Sequence, residues 1–468
     1  MQPEALPEED APLRPMDDTR PRRGLALAGV VVAVLAWVAQ LWQVTAWQSR
    51  AGAPLGSLAY GTFVQLAWNW RHAGAWTQTL HHGYAEDWRW GGHYAGWWPL
   101  VAWFAGGFEA PWALARVQVA LVGLGALGAA WLGWREARVA GALACSVLVL
   151  ASAGVTIQAL ADYQDLVLVI PASLWLAAAA RHAGWPGFVA AAVACALTRE
   201  EALVLVPLVA AVGGARRALA GLGVSAAVAA AWTALGPPPY PNPLVDQVAF
   251  LWRDGLRALP GRIAVEGFSW VDPAFFLQWA DASLPWLLLA PEAWVAALPT
   301  VVFHALAPTA TGGVASPWVH HFAPLVAACT VGGVVGLARV LSRFPRAAPW
   351  IAAAALAWSG ARAWAWKDTV ARVAVRVPVA EEHPAWALLA GVPRADVLWV
   401  PDEIAALAAT RPRVVTADSV GERIPAGDVA WAVARAGTVT GGEVRAARGG
   451  WVLVADPAQV PGRGSSAP

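Results

Sequence analysis

The sequence predicts an α-helical polytopic membrane protein of about eleven transmembrane helices, followed by a small α/β domain. Three observations predict it. Of 468 residues, 58% are hydrophobic and only 13% charged, whereas a soluble domain carries about 25% charged residues. Apolar runs alternate with short polar breaks along residues 24–366. Residues 384–468 then change character, to short strand-like runs separated by Pro, Gly and Asp.

Residues 1–23 contain five Pro and ten charged side chains. Such a segment cannot bury enough apolar area to order itself, and it reads as a disordered cytoplasmic tail. It ends in Arg20, Arg22 and Arg23, after which Gly24 to Ser49 carries no charge. At about 1.5 Å per residue that run crosses a hydrocarbon core of about 30 Å. It is longer than the apolar region of a cleaved signal peptide, so it reads as a retained first helix with the Arg cluster held in the cytoplasm.

Residues 50–112 form a mixed first outer loop. Phe63, Leu66, Ala67 and Trp70 recur at helical spacing, which predicts a short amphipathic helix lying on the membrane surface. Tyr94 to Phe104 is apolar but too short and Gly-bounded for a full span. Further spans are expected over 113–133, 138–156, 164–180, 184–198, 201–213, 218–236, 281–290, 292–306, 320–341 and 347–365. The basic breaks at Arg135/Arg138, Arg181/His182, Arg216/Arg217 and Arg343/Arg346 fall at alternate junctions. The positive-inside rule then places them, and the N-terminus, in the cytoplasm. An odd number of spans puts the C-terminus outside.

In the C-terminal region, 397–400 and 451–454 read as strands, and 403–410 and 428–435 as helices. The tail after Pro461 reads as disordered. Cys145, Cys195 and Cys329 each sit inside an apolar run and fit no zinc or redox spacing, so they read as small buried hydrophobes. A net charge of +1 offers no electrostatic basis for a nucleic-acid partner. Membrane lipids are the expected surroundings. Many of the 31 Trp, including Trp97 and Trp98, suit the bilayer interface.

The outer junctions gather acids, His and aromatics. The pieces Ala59-Tyr60-Gly61-Thr62-Phe63-Val64-Gln65-Leu66-Ala67-Trp68, Gly91-Gly92-His93-Tyr94, Trp98-Pro99, Leu197-Thr198-Arg199-Glu200-Glu201-Ala202 and Trp318-Val319-His320-His321-Phe322 follow one another in a recognisable order. Together they resemble a family of bacterial multi-spanning membrane proteins of unknown function, itself similar to the GT-C glycosyltransferases. The resemblance covers roughly residues 50–365, and the C-terminal domain more faintly.

What the resemblance implies is a GT-C-like transmembrane domain over 24–366, with the α/β domain of 384–468 outside the cytoplasm. It implies transfer of a sugar from a polyprenyl-phosphate donor to a lipid or glycan acceptor on the outer face. Such enzymes usually carry an acid in the first outer loop. Here Ala59 stands where the related family tends to have one. Glu86 and Asp87 are the replacements, as a catalytic base or as oxygen ligands of a divalent cation. No metal is required by the sequence, and the two acids also suit a solvated loop. His93, with His81 and His82, suits donor phosphate or orientation of the base.

Asp162 and Asp165 lie at an outer helix end, facing the same cavity or solvent. Arg199 and Glu200 suit an internal ion pair, a phosphate site or an exposed turn. His320 and His321 begin a helix, whose N-terminus suits phosphate, although interface anchoring is the more natural reading. The alternatives to an enzyme are a non-catalytic member of the same fold, which Ala59 favours, and a transporter, against which the lack of an internal repeat speaks.

Overall fold

The computed structural model describes residues 20–50, 58–80, 95–108, 112–160, 163, 165–234, 281–293, 295–298, 323–374, 383–417, 419–420 and 424–462. Residues 1–19 of the predicted N-terminal tail, 463–468 of the C-terminal tail and the loop 236–280 lie outside the described residues.

Helix α1 (Arg20–Arg50) contains the first apolar run. Val30, Val34, Val38 and Leu41 form a buried stripe at helical spacing. Leu27, Val32 and Leu35 on its other faces are more than 60% exposed. A helix apolar on every side suits lipid, where exposed aliphatic surface costs nothing. Helices α2 (Leu58–Ala73) and α3 (Trp98–Ala105) come from the first outer loop.

Helix α4 (Ala113–Leu150) is two antiparallel helices. Ala137 and Arg138 leave helical geometry, Arg138 with φ 55°. The two arms meet at Gly133 and Gly141, where a Cβ on either would fall within 2.2 Å of the other's carbonyl oxygen. Only glycines allow this approach. The break expected at Arg135/Arg138 is therefore a tight hairpin between two spans. Helices α5 (Ala153–Leu160), α6 (Val169–His182), α7 (Trp185–Ala196), α8 (Ala202–Ala210) and α9 (Ala215–Ala234) follow. After the short helix α10 (Leu284–Leu287) come α11 (Ala323–Arg343) and α12 (Ala348–Ala374). Among the described residues, four stretches are long and apolar enough to cross a bilayer unaided: Leu27–Thr45, Ala113–Leu150, Ala215–Ala234 and Ala323–Arg343. The predicted span 292–306 lies largely outside the described residues.

Polar contacts identify one end of the bundle. Glu136, in the hairpin, pairs with Arg181 at 2.7 Å and with His182 at 3.1 Å. Arg217 donates to the carbonyl of Ala183 at 2.9 Å. Three of the basic breaks read from the sequence thus lie side by side. Cys145, Cys195 and Cys329 are all buried and free.

The C-terminal region adds helices α13 (Ala385–Ala390) and α14 (Ala405–Ala408) and strands β1 (Leu398–Trp399), β2 (Val414–Val415), β3 (Trp431–Arg435), β4 (Glu443–Arg448) and β5 (Trp451–Ala455). They form one sheet in the order β2-β1-β3-β5-β4, with β2, β1 and β3 parallel. The antiparallel β3–β5 and β5–β4 pairs complete it. Two expectations need correction here. Residues 428–435 are not a helix: Trp431–Arg435 is a central strand, since pairing on both sides outweighs the helix preference of its alanines. Nor does the apolar face of α2 lie on lipid. Tyr60, Leu66 and Ala67 are buried in a core cluster shared with Leu398, Ala405 and Val414 of the C-terminal domain.

Candidate functional site

The end of the bundle opposite the basic breaks is built from segments far apart in sequence. Phe63 of α2, Trp98 of α3 and Tyr163 form a buried aromatic triangle. Their ring centroids are 5.2 Å (Phe63–Trp98), 5.5 Å (Phe63–Tyr163) and 5.6 Å (Trp98–Tyr163) apart. Two edge-on contacts and one tilted contact of this kind lock the relative position of three chain segments. The close of the first outer loop also docks on the turn between α7 and α8. The Gly96 N–H donates to Leu197 O at 2.8 Å, and Trp97 Nε1 donates to Ala194 O at 2.8 Å.

That turn carries Arg199, which is only 2% exposed. Its guanidinium lies 3.1 Å from a carboxylate oxygen of Glu201. A buried cation needs such a partner, because desolvating it alone is costly. Thr198 Oγ1 donates to Cys195 O at 2.7 Å and ends α7 just before the charged turn. Glu200 is half-buried in the same turn. Asp165 begins the 3-10 turn Asp165–Leu168, two residues beyond Tyr163. This turn packs against α11, the helix that follows His321.

The structure therefore gathers the chain segments of Trp97/Trp98, Asp165 and Arg199/Glu200 at one end. Glu86, Asp87, His93, Asp162, His320 and His321 lie outside the described residues, as do His81 and His82. Leu80, Ala95 and Tyr163 are buried in one cluster with Phe63 and Trp98. Among the described residues there is no group of three or more His, Cys, Asp or Glu able to hold a metal ion.

One feature at this end was missed by sequence reasoning. Asp281, 1% exposed, accepts the Ala153 N–H at 2.7 Å and pairs with Arg362 at 3.1 Å. Trp358, one helical turn before Arg362, donates to Ala282 O at 3.1 Å. The signal was present: Arg362 is the only charged residue of the predicted span 347–365, and a charge inside an apolar run demands a partner.

The first outer loop is also sealed to the C-terminal domain. Gln65 donates to Thr79 Oγ1 at 3.0 Å and to Arg411 O at 3.1 Å, and Thr79 Oγ1 donates to Val414 O. Thr416 Oγ1 donates to Leu80 O at 2.9 Å. A Cβ at Gly61 would stand 3.0 Å from Ala406 N, so α2 and α14 touch backbone to backbone.

No family model matches the sequence, and no curated protein matches it. Among solved structures, the chain is similar to ArnT from Cupriavidus metallidurans, crystallised in the apo state. The likeness has a TM-score of 0.56 at 16% sequence identity, over 93% of this chain and 99% of that one. The chain thus shares the fold of that structure, and among the described residues four helices are long and apolar enough to cross a membrane.

Proposed function

We propose that this protein is a GT-C-type membrane glycosyltransferase, moving a sugar from a polyprenyl-phosphate donor to a lipid or glycan acceptor on the outer face of the membrane. The observation that carries the reading is the convergence of the first outer loop, the Asp165 turn and the buried Arg199 turn at one end of an ArnT-like bundle. That end is the one remote from the basic junctions, hence the outer one by the positive-inside rule. On this reading the N-terminus is cytoplasmic and the domain 384–468 is extracytoplasmic.

In this scheme the acceptor oxygen attacks the anomeric carbon while Glu86 or Asp87 takes its proton, and the bond to the carrier phosphate breaks. Arg199 favours the departing phosphate through a planar, doubly donating fork. His93, Asp162, Asp165, Glu200, His320 and His321 complete the substrate-binding wall. A divalent cation on Glu86 and Asp87 is the alternative use of the same acids.

The test is transfer from a radiolabelled polyprenyl-phosphate sugar by the purified protein in nanodiscs. Positioned bases contribute about 10²–10⁴ in rate, so Glu86→Ala or Asp87→Ala should lower transfer by at least about a hundredfold at unchanged thermal stability. Full activity in both variants removes the assignment of the base. No turnover with any polyprenyl-linked sugar favours the second reading, a non-catalytic member of the fold, which Ala59 supports.

A further inference from the structure

A second cavity lies apart from the outer-end site, on the lipid-facing side of the bundle. It measures about 520 Å³ and is enclosed by α1, α3 and the start of α4. Pockets of about 300–1,000 Å³ are the size that holds small ligands. Its walls are almost entirely apolar: Trp42, Trp103, Phe104, Trp112 and Ala120 are among them. Leu100, Trp103 and Phe104 sit at helical spacing on α3 and are each about half exposed, with Trp42 and Phe108 alongside. A contiguous exposed apolar patch of this kind is a contact surface.

One cation stands in the wall. Arg116 lies over the Trp112 ring at 3.6 Å and near the Trp42 ring at 5.7 Å. Trp42 Nε1 donates to Arg116 O at 2.8 Å, which fastens α1 to α4 there. A second cation, Arg71 of α2, covers the Trp103 ring at 4.3 Å. Trp and Arg in this mixture are the composition of a bilayer interface, where rings sit at headgroup depth and guanidinium groups meet phosphate.

The depth of the groove narrows the occupant. Along α4 its lining runs from Trp112 to Leu121, roughly 13 Å at about 1.5 Å per residue. That is less than half of a hydrocarbon core of about 30 Å, so the groove belongs to one leaflet. An apolar trough confined to one leaflet, with a guanidinium at the interface, matches an acyl chain below an anionic phosphate.

We infer that the groove between α1, α3 and α4 is a binding site for an anionic phospholipid, with an acyl chain along Phe104 and Ala120 and its phosphate at Arg116. The lipid would brace α3, and through it the Trp98 corner of the aromatic triangle.

Native mass spectrometry of the full chain, released from mixed micelles of phosphatidylglycerol and phosphatidylcholine, tests this. Wild type should retain phosphatidylglycerol about fivefold over phosphatidylcholine, the preference that one interfacial cation supplies. Arg116→Gln should erase the preference, and Ala120→Trp, which fills the trough, should abolish retention of both lipids. Thermal unfolding in detergent verifies that each variant is folded. Arg71→Gln, at a residue that touches Trp103 from outside the cavity lining, serves as the folded control and should keep the preference. Equal retention of the two lipids by wild type, or undiminished retention by folded Ala120→Trp, overturns the inference. So does displacement of phosphatidylglycerol by an equimolar polyprenyl phosphate, which would make the groove a donor site.

Discussion

Arg362 sets its Nε 3.1 Å from Oδ1 of Asp281, and the second carboxylate oxygen takes the Ala153 N–H at 2.7 Å. Three separate stretches, α12, the turn before α10 and the start of α5, are tied through one carboxylate. Breaking a buried pair from one side leaves the other charge uncompensated and costs about 3–5 kcal/mol. Asp281→Ala leaves behind an Arg362 that is 27% exposed and can hydrate, whereas Arg362→Ala leaves a carboxylate with no exposed side-chain surface. Arg362→Ala should therefore destabilise at least as much as Asp281→Ala, even though the latter also orphans the Ala153 N–H. The double variant should cost less than the sum. Thermal unfolding of the four proteins in detergent closes the cycle, and additive losses would mean the two groups do not interact.

The glycine contact inside α4 makes a steric prediction. A Cβ at Gly133 would overlap the carbonyl of Gly141 at 2.2 Å. Gly133→Val should force the arms apart and sharply lower the yield of folded protein. Gly24→Val, where a Cβ meets nothing within 4 Å, should be tolerated. Size-exclusion profiles of fluorescent fusions would read both outcomes.

Arg411 is 8% exposed and donates to Leu389 O in the last turn of α13 and, just beyond it, to Val392 O at 3.0 Å and Pro393 O at 3.1 Å. A cation at a helix C-terminus answers both the free carbonyls and the dipole. Arg411→Met should destabilise the C-terminal domain by about 3 kcal/mol, since hydrogen bonds to charged groups are worth about 1.5–3 kcal/mol each and some carbonyls will find water. Earlier protease cleavage between 384 and 462 would reveal the loss.

His383 has its Nδ1 accepting the Ala385 N–H at 3.2 Å and its ring edge-on to Trp451 at 5.0 Å. Burial lowers its pKa from the ordinary 6.5; Glu403 opposes the shift and Arg435 reinforces it. The unfolded chain then takes up the proton first. Stability is full above about pH 6.5 and falls as pH drops from there towards the folded pKa. His383→Gln, which keeps an acceptor but does not titrate, should flatten that part of the curve. Identical pH profiles for the two proteins would refute the assignment.

Much of the bundle was legible in the sequence because lipid imposes a simple rule, a long run without charge. The first helix, the turn at Arg135/Arg138 and the run beginning near 320 follow from it. The α/β domain was half legible. Val397–Val400 and Trp451–Val454 show their strands in branched side chains, whereas Trp431–Arg435 hides its strand behind alanines, and β2 and β4 were missed. The candidate site was legible in residue type but not in partnership. Arg199 stood out as a charge between two apolar runs, with an internal ion pair, a phosphate site and an exposed turn all open; it is buried and paired with Glu201. Asp281 and Arg362 were passed over because they are 81 residues apart, and no local pattern joins residues so distant.

The seam between Thr79 and Val414 joins residues 335 positions apart. A ribosome adding about 5–20 residues per second needs roughly 15–70 s to cover that distance. Throughout that interval the early loop has no edge strand to hold and no Ala405–Ala406 surface against which to close. A later-made part of the polypeptide thus finishes what an earlier part began. A nonsense codon anywhere before residue 384 would leave the loop open permanently, however well the helices between had assembled.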